Sequence, residues 1–166
     1  PEYMEMIRLK TAVLLACSLK TGAIIGGASK EDAIHLYEFG INIGLAFQLQ
    51  DDLLDVYGDT ATFGKNIGGD IICNKKTFML IHAFELASAG QKAILNNWIS
   101  KDTFVPAEKI EAVTTIYNEL LLKDIVTAKM QKYYDKAMEH LAELNVPAEK
   151  LTILKEVTNH LMYRQS

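Results

Sequence analysis

Residues 31–57 read EDAIHLYEFGINIGLAFQLQDDLLDVY, and the fold class follows from this stretch. Ile34, Leu36, Phe39, Ile41, Ile43, Leu45 and Phe47 fall on nearly every face of a helix, and a helix apolar all round is surrounded by other helices. Ser29 offers an N-cap, with Glu31 and Asp32 in the following turn, where carboxylates meet the positive end of the helix dipole. Gly40 and Gly44 stand four apart on one face. Glycine inside a helix costs about 0.5–1 kcal/mol relative to alanine, so the pair is expected where two backbones approach closely.

Apolar residues recur at helical spacing along most of the chain, and no period-two alternation rich in β-branched residues interrupts them, so the fold is read as all-α. A first helix covers about 3–19 and ends near Gly22, with a further break at Gly26-Gly27. Residues 58–74, GDTATFGKNIGGDIICN, are rich in Gly, Asp, Asn and Thr and read as a long loop, a kind of segment that is often functional. KKTFMLIHAFELASA (75–89) resumes the helical pattern, Gly90 is expected to stop it, and QKAILNNWI (91–99) forms a short helix. After Pro106 the pattern stays helical to about Leu144, with a break near 121–124. The last helix starts at Pro147, and its stripe of Leu151, Leu154, Val157 and Leu161 places it on the outside of the bundle. PAEK occurs at 106–109 and at 147–150, but the residues downstream differ, and the tetrapeptide is simply a favourable first turn.

The 166 residues are 49% apolar with only 3 Pro and 10 Gly, an ordinary globular composition for one domain or part of one, and with the helical spacing residues 1–166 are read as a single all-α domain fragment. The net charge of −4, without a Lys/Arg block, argues against nucleic acid as a partner. Any anionic ligand must be held by locally placed cations. Cys17 and Cys73 are too few for a disulfide framework and fit a reducing, cytoplasmic setting. The four histidines (35, 82, 140 and 160) show no zinc-ligand spacing. The apolar run TAVLLACSLKTGAIIGGA (11–28) resembles a leader or membrane segment, but Lys10 and Lys20 bracket only nine residues between them, too few to span a bilayer.

The chemistry lies in FQLQDDLLDVYGD (47–59), which sets Asp51, Asp52 and Asp55 into an apolar helix. At ~100° per residue, Asp51 and Asp55 lie about 40° apart and Asp52 and Asp55 about 60° apart, so the three share one arc. Their mutual repulsion is aggravated by the negative end of the helix dipole, and ionised carboxylates in an apolar setting demand a counter-charge. The donor set is all oxygen and supplies few ligands, which points to Mg²⁺ completing its shell with water and phosphate. The alternative is a solvated acidic helix end. Lys65, Asp70 and Lys75 follow at five-residue intervals, and Lys10-Thr11 interrupts the apolar face of the first helix. Lysines with Mg²⁺ around one cavity describe a diphosphate site. GDTATFGKN (58–66) is not a P-loop: its glycines are one residue too far apart, Asn66 replaces Ser/Thr, and no strand precedes it.

FQLQDDLLD, followed by GD (58–59), GKNIGGD (64–70) and NKKT (74–77), resembles the second aspartate-rich region of trans-prenyltransferases. These are the farnesyl, geranylgeranyl and longer-chain polyprenyl diphosphate synthases. The likeness runs from Arg8-Leu9-Lys10-Thr11 to Thr77. It implies the C-terminal part of the isoprenoid synthase helical bundle, in which an allylic diphosphate ionises with Mg²⁺ assistance and isopentenyl diphosphate attacks the resulting cation. It further implies that Asp51 binds Mg²⁺ directly, with Asp52, Asp55 and Asp70 ligating or holding its water shell. Lys10, Lys65 and Lys75 would contact the allylic diphosphate, Thr11 and Gln48 would face the reacting carbons, and Phe47 would lie near the homoallylic substrate unless it is a core residue. Lys10, Thr11, Gln48 and Lys75 are then the catalytic candidates. Lys76 and Thr77 are read as solvated charge and helix start.

The first aspartate-rich motif of that family, and the basic residues around it, do not occur in these 166 residues, which contain one DDxxD. The chain, opening on Pro1 within a family-like region, is therefore expected to be the C-terminal half of an enzyme, inactive alone and prone to dimerise through helix faces that the N-terminal half would cover. The competing expectation is a non-catalytic helical subunit or truncated paralogue that modulates a partner synthase. Class I terpene cyclases share the helical fold but lack the GKNIGGD and NKKT continuation.

Overall fold

A computed structural model describes residues 2–58 and 67–162. Among them there are helices and turns but no strand, as the apolar spacing predicts. α1 (Glu2–Ile7) passes through a π-helical turn (Arg8–Ala12) into α2 (Val13–Ile25). The helix thus outruns Gly22 and ends at Gly26-Gly27, where Gly27 takes φ +79°. The long buried helix α3 is Lys30–Tyr57, α4 is the single turn Gly69–Ile72, α5 is Phe78–Leu86 and α6 is Ala89–Ser100. α7 (Pro106–Glu119) and α8 (Leu122–Ala142) are separated at Leu121, whose φ is +54°. A 3₁₀ turn (Ala148–Leu151) leads into α9 (Thr152–Met162).

These helices group into two compact units, residues 2–50 with 128–162, and residues 51–58 with 67–127. In the first, Ser29 Oγ accepts from the Asp32 N–H at 3.0 Å, the expected cap of α3. Residues 39–46 of α3 are buried without interruption. Phe39 and Ile43 form a core with Ala137, Leu141 and Leu144, flanked by Leu19, Leu36, Leu151 and Leu154. A Cβ on Gly40 would lie 2.6 Å from Ala16 Cα, and one on Gly44 would lie 2.6 Å from Ala12 Cα. The two glycines therefore do allow close backbone approach, here of the first helix to α3. His35 and His140 face each other with their Nδ1 atoms 3.3 Å apart.

In the second unit, α7 packs against α4, α5 and α6. Thr77 caps α5 by accepting from the Leu80 N–H, and Lys76 is exposed, as read from the sequence. Gly90 does not stop a helix. It lies inside α6, because Ser88 and Gln91 form a reciprocal capping box that starts the helix at Ala89. Of the stripe expected on the last helix, Leu151 and Leu154 pack against the core, whereas Val157 is 50% exposed and Thr158 and Met162 are buried beside it. Among the described residues, no helix is long and apolar enough to cross a membrane.

Candidate functional site

The acidic end of α3 is closed by a lysine of the same chain. Asp52 is buried, with its side chain fully removed from solvent, and accepts from Lys75 Nζ at 3.3 Å. Lys75 Nζ also donates to Asp70 Oδ2 at 2.6 Å. The counter-charge demanded by carboxylates in an apolar helix is thus supplied in part by the protein itself. Burial pushes the Lys75 ammonium down, but its bonds to Asp70 and Asp52 outweigh this and hold it above the usual lysine range.

Backbone geometry brings these groups together. The Gly68 N–H donates to the Asp55 carbonyl at 2.6 Å, and the Asp70 N–H donates to Asp55 Oδ2 at 2.9 Å, so Asp55 anchors the start of α4. Gly68 takes φ +82°, and a Cβ there would lie 2.6 Å from Ile110 Cδ1, so any side chain at this turn would strain the backbone and displace Ile110. After α4, Asn74 adopts the left-handed φ of +53° and the Lys75 N–H donates to the Asp70 carbonyl at 2.9 Å, a reversal that returns Lys75 toward Asp70. Burial raises the Asp55 carboxyl above the usual aspartate range, with the neighbouring Asp70 and Asp51 charges adding to it. Asp51 is half-buried on the same helix.

In the other unit, Lys10 and Thr11 sit in the π-helical turn, a feature frequent at functional sites. Lys10 is exposed, and Thr11 Oγ1 donates to Gln48 Oε1 at 3.2 Å. Phe47 is half-buried. Lys65 lies outside the described residues. The structure therefore joins Asp52, Asp55, Asp70 and Lys75 in one network and Thr11 with Gln48 in another.

Among the described residues, no three His, Cys, Asp or Glu side chains converge closely enough to hold a metal ion by themselves. The donor chemistry of Asp51, Asp52, Asp55 and Asp70, all carboxylate oxygen, is the kind Mg²⁺ takes when it uses few protein ligands and keeps water and phosphate oxygens for the rest.

Sequence reasoning missed two members of this region. Lys109 is 1% exposed, and its Nζ donates to Asn74 Oδ1 at 2.6 Å and to the Ile72 carbonyl at 3.1 Å. The available signal was its spacing, since Lys109, Val113, Ile116 and Tyr117 are the buried residues of α7. Asn74 was part of NKKT (74–77), but only its residue type, which tolerates left-handed backbone, hinted at its role in the turn.

Comparison with known proteins assigns the chain. The family profile described as Polyprenyl synthetase matches residues 1–120. The geranylgeranyl diphosphate synthase of Methanosarcina mazei is 34% identical over 99% of this chain and 48% of its own length. That of Sulfolobus acidocaldarius is 32% identical over 95% of this chain and 48% of its own. A crystal structure of a geranylgeranyl pyrophosphate synthase superposes on 100% of this chain and 52% of its own with a TM-score of 0.90 at 37% identity. Another, from Corynebacterium glutamicum and complexed with isoprenyl diphosphate and magnesium, covers 98% of this chain and 46% of its own, with a TM-score of 0.87 at 30% identity. This chain spans about half the length of these relatives. Its all-α fold is that of the isoprenoid synthases, and the chain belongs to the polyprenyl synthetase family.

Proposed function

We propose that the chain carries the second aspartate-rich part of a prenyltransferase active site that condenses an allylic diphosphate with isopentenyl diphosphate. The observation that carries this reading is the Asp52–Lys75–Asp70–Asp55 network: carboxylates on α3 and α4 held together by an ammonium and a backbone N–H. Asp51, Asp52, Asp55 and Asp70 would hold Mg²⁺, which when bound supplies charge stabilisation for a departing diphosphate. Lys75, with Lys10 and Lys65, would bind the allylic diphosphate. Thr11 and Gln48, already hydrogen-bonded, would orient the reacting carbons, with Phe47 beside the homoallylic substrate. Free Cys17 and Cys73 suit a cytoplasmic setting.

The chain alone is expected to turn over nothing, with an N-terminal half of the same fold supplying the first aspartate-rich motif. Its first helix exposes Leu14 at 72% and Ile25 at 82%, apolar surface that favours self-association into a dimer. A monomeric mass by light scattering at high concentration would count against the dimer. The site is tested by calorimetric titration of inorganic diphosphate into the chain. Binding should require Mg²⁺ and weaken at least about tenfold in Asp51→Ala, the scale of losing one strong ionic contact. Equal binding by wild type and variant overturns the metal assignment.

A further inference from the structure

We infer that Lys109 is a positioning residue, whose ammonium clamps the turn at Cys73–Lys75 and so sets Lys75 against Asp70 and Asp52. Lysine is among the residues least often found fully buried unless paired, yet Lys109 is 1% exposed at the start of α7. Its two hydrogen-bond acceptors are neutral. Nζ donates to Asn74 Oδ1 at 2.6 Å and to the Ile72 carbonyl at 3.1 Å, and lies 4.3 Å from the centre of the Phe104 ring. Burial in these surroundings pushes the ammonium below the usual lysine range. A methionine or leucine would fill the same space without that desolvation cost. What an apolar side chain cannot do is hold two oxygens on either side of Cys73.

Those two oxygens define the turn. Asn74 is fixed at both ends of its amide, Oδ1 by Lys109 and Nδ2 by donation to the Ile99 carbonyl at 3.2 Å. Its backbone sits at φ +53° and its N–H donates to the Ile71 carbonyl at 3.2 Å. Lys75 follows directly, its N–H on the Asp70 carbonyl at 2.9 Å and its own carbonyl accepting from the Thr77 N–H at 2.8 Å. The direction in which Lys75 leaves the chain is therefore set by Asn74, and Asn74 is set by Lys109. Lys109, Asn74, Lys75, Asp70 and Tyr117 line one small cavity of about 10 Å³, room for roughly one water. Little slack exists between clamp and lysine.

The consequence for diphosphate binding rests on the function proposed above, whereas the clamp itself does not, and the test separates them. Amide hydrogen exchange is measured on the full chain for wild type, Lys109→Met, Lys109→Arg and Asn74→Gly, alongside titration with inorganic diphosphate and Mg²⁺. Asn74→Gly keeps the left-handed backbone and removes the whole amide, both the Oδ1 that accepts from Lys109 and the Nδ2 that donates to the Ile99 carbonyl, so it serves if Lys109→Met folds poorly. Both are expected to raise exchange at the Asn74 and Lys75 amides at least tenfold, leaving Ile81 and Ala83 in α5 unchanged, and to weaken diphosphate binding at least tenfold. Lys109→Arg should restore part of both. Wild-type exchange at Lys75 in Asn74→Gly and Lys109→Met overturns the inference, and so does a uniform rise across all helices, which would make Lys109 a packing residue only. If wild type binds no diphosphate, the proposed function fails while the exchange pattern still decides the clamp.

Discussion

Lys75 Nζ lies 2.6 Å from Asp70 Oδ2 and, by the same ammonium, 3.3 Å from Asp52 Oδ1. One cation thus serves two carboxylates, of which Asp52 is fully enclosed. Removing one partner of a buried ion pair costs about 3–5 kcal/mol, but the Lys75 side chain is 39% exposed, and solvent screening lowers the expectation to about 1–2 kcal/mol. Lys75→Met should lose that much stability in urea denaturation. Asp52→Asn in the same chain should recover most of it, because the neutral amide leaves no enclosed charge. A double variant no more stable than Lys75→Met would show that the loss arises from Lys75 packing instead.

The contact of the first helix with α3 predicts opposite outcomes for chemically identical changes. Gly44→Ala would place a Cβ 2.6 Å from Ala12 Cα and 2.7 Å from its Cβ, and Gly40→Ala one 2.6 Å from Ala16 Cα. Backbone cannot step aside as a flexible side chain does, so each should cost about 1–3 kcal/mol by overpacking, more than the 0.5–1 kcal/mol gained in helix propensity. Gly22 lies within α2, and a Cβ there would meet nothing within 4 Å, so Gly22→Ala should stabilise by about 0.5–1 kcal/mol. Thermal unfolding of the three variants measures the signs directly.

At the start of α6 the contest is between a cap and a glycine. Ser88 Oγ accepts from the Gln91 N–H at 3.3 Å while Gln91 Oε1 accepts from the Ser88 N–H at 2.9 Å. Ser88→Ala should cost about 1 kcal/mol. Gly90→Ala, with open space around it, should be neutral or stabilise by up to about 1 kcal/mol. If Gly90→Ala instead destabilised the chain by that amount, the helix would not run through residue 90.

Helix α3 was legible because its signals agree: a cap at Ser29, apolar residues on every face, and two glycines in register. The aspartates were legible as a charge problem, yet their answer was only half visible. Lys75 stands at the right distance in sequence, but its approach to Asp70 depends on the left-handed backbone of Asn74, a tertiary choice that residue type permits without dictating. Lys109 was hidden inside PAEK, which reads as an ordinary first turn until the buried face of α7 is known. The π-helical turn at Arg8–Ala12 shifts the helix by a single residue and leaves the apolar spacing around it almost unaltered.

Asp32 carries the pH dependence most open to measurement, because it lies far along the chain from the aspartate-rich stretch. Its Oδ1 accepts from the Asn145 N–H at 2.9 Å and its Oδ2 from Ser29 Oγ at 2.8 Å. These bonds, the Asn145 N–H foremost, hold its carboxyl below the ordinary value of 3.8. The folded state therefore binds this proton less readily than the unfolded chain does. Its contribution is complete above the unfolded value and is lost as pH falls through the depressed folded one. Asp32→Asn should melt below wild type at pH 7, with the gap narrowing as pH falls below the ordinary aspartate value of 3.8. Melting followed by circular dichroism across that range checks this, and a gap independent of pH would assign the loss to geometry and not to charge.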